Sequence, residues 1–154
     1  MTSWAVAVGS FGYVGFTPLA PGTAASVLAA LLYFFISPLQ NPVVLGGATM
    51  LVLFAGWAAT LVILRDSPQS DPSFVVADEV AGQWIALTTP FHQGDWIYMV
   101  IAFALFRLFD IAKPFPVSFF QKRKGAGNVF MDDLVAAVFA NIGAHLIVWV
   151  IARV

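Results

Sequence analysis

Residues 129–151 read VFMDDLVAAVFANIGAHLIVWVI. Two adjacent aspartates, Asp132 and Asp133, head an apolar run that continues almost unbroken to Ile151. A run of this length suits a bilayer, whose hydrocarbon core takes about 20 apolar residues to cross as a helix. The rest of the chain has the same character. Of its 154 residues, 60% are hydrophobic and only 10% charged, with a mean hydropathy of +0.89. Soluble domains are roughly 45–50% apolar and about 25% charged. Residues 1–64 carry no charged side chain, the first being Arg65. A water-facing surface over that stretch would need charge. The sequence therefore predicts one domain, residues 1–154, that is all-α: a polytopic membrane bundle of about five hydrophobic helices.

Composition also excludes classes of function. A net charge of −1 gives no field for nucleic acid. The absence of cysteine removes disulfides, thiolate metal sites and thiol nucleophiles. The N-terminus lacks the basic leader of a signal peptide, and its apolar stretch is broken by Gly9, Gly12, Gly15, Pro18 and Pro21. Residues 1–22 thus read as an irregular or short interfacial lead-in.

Outward from the quoted run, the pattern predicts four more helices. The first starts at PGT (21–23), with Thr23 as its N-cap, and ends at Ser37-Pro38. The second covers 43–64. The third covers 74–89, with Ser73 as its cap. The fourth covers 96–112 and stops at Pro114, which disfavours helix at Lys113. The fifth begins at Asp132, after a basic, glycine-containing loop at 113–131. Lengths suggest that the first, third and fourth are partly interfacial or packed inside the bundle. With all five crossing, Arg65, Arg107, Lys113, Lys122, Arg123 and Lys124 gather on one side, which the positive-inside rule makes cytoplasmic.

The acids converge on that side. Asp78 and Asp110 lie about equally far from the turn between helices three and four, so at about 1.5 Å per residue they share one depth. Asp132 and Asp133 begin the fifth helix at the same boundary. Five of the eight acids, Asp78, Glu79, Asp110, Asp132 and Asp133, are thereby expected in one layer. Capping accounts well for one of Asp132 and Asp133 and weakly for the other. Asp110 at a helix C-terminus opposes the helix dipole, so it needs a cation: Arg107, Lys113 or a metal. Ionisable groups at membrane depth default to functional roles, and carboxylates without thiolates favour a hard cation such as Mg²⁺. Lys113, Arg107 and the helix start at Gly22 and Thr23 offer positive charge and free N–H groups to a phosphate. Gln83 is a candidate supporting residue one turn from Glu79. Asn141 reads as an interhelical hydrogen bonder, and His92 and His145 as structural residues away from the acids. Ala136, Ala140 and Ala144 suggest close helix packing, within the chain or in a homo-oligomer.

Four blocks, FGYVGFTPLAPGTAASVLA (11–29), VVADEVAGQWIAL (75–87), FRLFDIAKPFPV (106–117) and GAGNVFMDDLVAA (125–137), resemble the ordered motifs of the phosphatidylglycerophosphatase A family. The combination of DE, FDxxKP and DD is specific. Two positions depart from the family pattern: Ala25, where glycine is usual, and Asn128, where an apolar residue is usual. The resemblance implies a multi-pass enzyme of the bacterial inner membrane with its active site facing the cytoplasm. It would use Mg²⁺ to remove the terminal phosphate of phosphatidylglycerophosphate, giving phosphatidylglycerol. By motif it assigns catalysis to Asp78, Glu79, Asp110, Lys113, Asp132 and Asp133, with the five acids as metal ligands. Arg107, Lys113, Thr23 and Gly22 would bind substrate. Two rivals remain from the residues alone. A cation transporter or channel would line its path with acids at mid-membrane or on both sides. A structural membrane subunit would use the acids as caps, but leaves Asp110 unexplained.

Overall fold

The structure, a computed structural model, describes residues 2–66, 72–114, 117 and 126–153, with the side chains of 126–129 left aside. Among the described residues the chain is all-helical: α1 (Ser3–Gly9), α2 (Pro21–Phe35), α3 (Pro42–Asp66), α4 (Ala77–Leu87), α5 (Trp96–Ala112) and α6 (Ala126–Ile151). Short 3₁₀ turns cover Val14–Phe16 and Ser37–Gln40. Residues 67–71 and the basic triplet Lys122, Arg123 and Lys124 lie outside the described residues.

The helices α3 (25 residues) and α6, over Phe130–Ile151 (22 residues), are long and apolar enough to cross a membrane. Both are apolar over most of their length, with Asp132, Asp133, Asn141 and His145 as the polar positions of α6 over that span. Their outward faces expose Met50, Leu51, Phe54 and Trp57 on α3 and Val138, Leu146 and Trp149 on α6. At 11 residues, α4 is too short to cross. It is instead the centre of the bundle, with α2, α3, α5 and α6 packed around it and nine of its residues buried. Close approach depends on small residues. Gly82 of α4 faces the Phe106 ring, which a Cβ would meet at 2.7 Å. The Trp84 indole donates to Ala29 O at 3.0 Å and ties α4 to α2. Ala136, Ala140 and Ala144 are fully buried against α4 and α5, so their packing partner lies within the chain.

Several boundaries differ from the sequence reading, among them those of the helix expected over 74–89, which covers Ala77–Leu87. The lead-in contains a real helix: α1 packs through Ala5 on Ala59 and Ile63 of α3. The start of α2 is Pro21, not Thr23, with Ala20 as N-cap in a left-handed conformation (φ 47°). Proline at the first helical position gives up an N–H that has no partner there. The N-cap of α4 is Val76 rather than Ser73. Most consequentially, α6 begins six residues before Asp132. Asp132 and Asp133 therefore sit in its second turn and cap nothing. By contrast, α5 has the predicted bounds, opened by Asp95, whose carboxylate accepts from Ile97 N at 2.8 Å.

Candidate active site

Four helices meet at one level. The first turns of α2 and α4, the last turn of α5 and the second turn of α6 bring their polar residues together there. The third helix passes the same level at Gly56: a Cβ there would meet Ala77 Cβ at 2.6 Å and the Phe130 ring at 3.2 Å. Ten residues of α3 continue beyond Gly56 to Asp66, about 15 Å of helix. The layer is thus recessed beside α3 rather than level with its end.

One carboxylate oxygen each from Asp78, Glu79 and Asp133 lies within 4.8 Å of the others. Asp78 and Asp133 are buried, at 6% and 4% exposure. Three such groups repel one another when ionised in a low dielectric. Glu79 reaches the cluster because α2 has no side chain at Gly22: a Cβ there would sit 2.3 Å from Glu79 Oε1. This close approach gives Gly22 a role that its phosphate-binding reading did not anticipate.

The other two acids hold cations. Asp110 Oδ2 pairs with Arg107 Nη1 at 2.7 Å. Asp132 Oδ2 accepts from Lys113 Nζ at 2.5 Å, and Lys113 Nζ is also 3.9 Å from Asp110 Oδ1. Asp110 in turn lies against Asp133, which joins the paired acids to the triad. Lys113 ends α5 in the left-handed region (φ 43°, ψ 56°). That conformation costs a non-glycine residue roughly 1–2 kcal/mol, and Pro114 forbids the helix from continuing. Burial by itself would lower the Lys113 pKa. The hydrogen bond and charge of Asp132, with Asp133 and Asp110 behind it, outweigh burial and raise it. The lysine is therefore firmly protonated at neutral pH.

Arg107 is fixed by α2. Its Nη1 donates to Ser26 Oγ and its Nη2 to Thr23 Oγ1, both at 3.2 Å. Ser26 Oγ itself donates to Gly22 O at 2.9 Å. Thr23 thus positions a guanidinium instead of capping a helix. Ser26 is the residue that sequence reasoning missed. The available signal was its spacing, three residues from Thr23 on the same helical face.

Several buried polar atoms here have no hydrogen-bond partner among the described residues: Glu79 Oε2, Asp132 Oδ1, Arg107 Nε and both amide atoms of Gln83. Buried polar atoms are otherwise almost always paired. Two carboxylate oxygens and one guanidinium N–H left unpartnered in one layer can accept a cation and an anion. The donor set, all carboxylate with no sulfur, suits Mg²⁺. His92 and His145 lie elsewhere, among Thr89, Tyr98 and Asn141 at the other end of the bundle.

A family model described as Phosphatidylglycerophosphatase A matches residues 7–148. A protein of Bacteroides thetaiotaomicron named "Putative phosphatidylinositol-3-phosphatase" is 41% identical over 144 residues, 89% of each chain. Proteins named "Phosphatidylglycerophosphatase A" match from Haemophilus influenzae and Escherichia coli. The first is 32% identical over 80% of this chain and 76% of its own. The second is 29% identical over 89% of this chain and 78% of its own. No solved structure matches the chain.

Proposed function

The chain belongs to the phosphatidylglycerophosphatase A family and is a phosphoric monoester hydrolase; from the geometry of its acidic layer, we propose that it removes the terminal phosphate of phosphatidylglycerophosphate within a bacterial inner membrane, using Mg²⁺. The observation that carries this reading is the set of unpartnered buried atoms, Glu79 Oε2, Asp132 Oδ1 and Arg107 Nε, in one layer. A channel would not need a guanidinium fixed at the mouth of its acid cluster. A structural subunit would satisfy these atoms or not bury them.

Asp78, Glu79 and Asp133 would hold Mg²⁺, a reading supported by the convergence of their carboxylate oxygens. Bound there, the ion would supply Lewis-acid charge to the phosphoryl oxygens. Arg107 takes a phosphate oxygen through its free Nε, while Thr23, Ser26 and Asp110 keep its plane fixed. Lys113 brings a second positive charge, held between Asp132 and Asp110 and kept protonated by both. Phosphoryl transfer asks little of a protein beyond such positioning and charge. The first turn of α2 adds backbone N–H groups beside Glu79. In the membrane, α3 and α6 cross with their apolar faces in lipid. The Arg65 and Lys113 side faces the cytoplasm.

The B. thetaiotaomicron relative favours a second head group, phosphatidylinositol 3-phosphate. Both lipids present a phosphate monoester to the same residues. The test is phosphate release by the purified protein from each lipid, with and without Mg²⁺, for wild type, Asp110→Asn and Asp133→Asn. Mg²⁺-dependent release lost in both variants is expected. Equal metal-dependent activity in the variants would sink the site assignment, and the ratio of the two lipids' kcat/KM decides the head group.

A further inference from the structure

A seam runs between the two membrane-length helices. Both α3 and α6 pack on α4, and they touch one another little. Two cavities lie along the gap. One, of about 210 Å³, is bounded by Trp57 and Phe130 and has Leu53 and Leu134 on its walls. The other, of about 320 Å³, ends at Gly46 and Asn141. As α3 is followed from 57 back to 46, α6 is met from 130 forward to 141. The two cavities therefore follow one another along the antiparallel seam, the second also lined by Ile85 of α4 and by Thr88. Eleven residues of rise make this groove about 16 Å long. That is the depth of one leaflet, half of a hydrocarbon core of about 30 Å.

The end of this groove is what gives it meaning. Phe130 lies two residues before Asp132, and its ring packs at Gly56 together with Ala77, the residue before Asp78. One end of the groove thus lies at the level of the acidic layer, lined there by Phe130, and the groove leads away from that layer along the bundle. Phe54 and Trp57, on its α3 wall, are exposed. Its walls carry no charge, and the Cβ position of Gly46 at the far end has open space around it.

We propose that this α3–α6 seam is the subsite for an acyl chain of the diacyl lipid substrate, with the phosphate at the Asp78–Glu79–Asp133 cluster and one tail lying between Leu53 and Leu134. The proposal deepens the phosphatase reading and rests on it for the identity of the lipid. A tail fixed here aligns the head group before chemistry, so the seam sets KM and chain-length preference.

The first test uses the wild-type protein in bilayers and a phosphatidylglycerophosphate with a diazirine in one acyl chain. Photolabel is expected to concentrate on peptides spanning 46–57 and 130–141. Unlabelled lipid phosphate should displace it, and diacylglycerol should not. Label spread evenly over the exposed faces of α2 and α5, or displaced equally by diacylglycerol, overturns the proposal. The second test is kinetic. In Leu134→Trp and Leu53→Trp the kcat/KM ratio of dioleoyl to dihexanoyl substrate should fall by about tenfold or more, mainly through KM. Leu31→Trp, exposed on α2 and away from the seam, should keep the wild-type ratio. An unchanged ratio in both seam variants overturns the proposal. The chain has no cysteine, so Leu53→Cys is a clean probe for a second copy. Disulfide-linked dimers in the membrane would assign the seam to that copy and overturn the tail subsite. A wild-type protein that releases no phosphate from any lipid overturns the phosphatase reading instead, and the labelling pattern still judges the seam.

Discussion

The two ends of the bundle are both polar and treat their polar groups in opposite ways. At the end away from the acids, Asn141 Nδ2 lies 3.2, 3.1 and 2.7 Å from the carbonyls of Ile85, Ala86 and Thr88, where α4 runs out of helical partners. Tyr98 OH donates to Ala86 O at 3.2 Å. His145 Nδ1 lies 2.8 Å from Asn141 O and its Nε2 3.0 Å from Thr89 Oγ1. The tautomer that donates through Nδ1 and accepts at Nε2 satisfies both contacts. Those contacts are satisfied and structural, and of the buried polar atoms at this end only the Tyr33 hydroxyl lacks a hydrogen-bond partner among the described residues. The acidic end concentrates five carboxylates and two cations and leaves buried atoms of Glu79, Asp132 and Arg107 unpartnered. A protein that can satisfy a helix end as fully as α4's C-terminus has left the other end open for a ligand.

The strongest way to break this contrast is Glu79→Gln. It keeps size and hydrogen-bonding capacity but removes one of three converging charges. Phosphate release should fall on the order of 10³-fold. The thermal midpoint without added metal should hold or rise, because repulsion is relieved. A fall in both would mean that the carboxylate is structural. Next is Gly22→Ala. The new methyl would stand 2.3 Å from Glu79 Oε1, so Glu79 must move. A displacement of that order costs about 10²-fold in kcat, and overpacking costs about 1–3 kcal/mol of stability. Normal kcat with normal stability would show that Glu79 is not needed where it stands.

At the end away from the acids the signs reverse. Tyr98→Phe removes a hydroxyl that serves Ala86, Asn141 and His145. It should cost about 1 kcal/mol in denaturant unfolding with kcat unchanged. A kcat loss larger than the stability loss explains would erase the division between the two ends.

The smallest effect is a pH dependence. The Lys113 pKa is raised in the folded state. Its stabilising contribution is therefore complete below the unfolded lysine value of about 10.4 and fades as pH rises through the folded value. The difference in thermal midpoint between wild type and Lys113→Met should be flat from about pH 6 to 9 and shrink only above about pH 10.4. Shrinkage already near neutrality would mean that Asp132 and Asp110 do not hold the proton.

Much of this was legible in the sequence, for identifiable reasons. Equal residue counts from one turn put Asp78 and Asp110 at one height, because rise per residue is fixed in a helix. Pro114 marked the end of α5 through local chemistry that tertiary contacts did not override. Asn141 stood out because a polar side chain inside an apolar helix must find partners. What failed had tertiary causes. The start of α6 was misplaced because GAGNVF (125–130) reads as loop by its glycines, yet its described part, from Ala126, is helix. The lead-in helix α1 was missed because its stability comes from Ala59 and Ile63, fifty-odd residues away. The cations facing Asp110 were legible, since Arg107 and Lys113 lie three residues to either side of it, but the pairing of Asp132 was not. That Lys113 also holds Asp132 depends on side-chain direction between the end of α5 and α6, which spacing does not carry.

The ten residues of α3 beyond Gly56 bear on selectivity in another way. A phosphate ester that comes from the Asp66 end must pass some 15 Å of apolar helix before it meets Asp78. A hydrophilic metabolite with the same phosphate group would leave its hydration behind along that apolar stretch. A lipid is already in the apolar phase and needs only to bring its head group inward. Discrimination between membrane-borne and dissolved phosphomonoesters would then come from the depth at which the carboxylates are set. The catalytic residues would be free of that task.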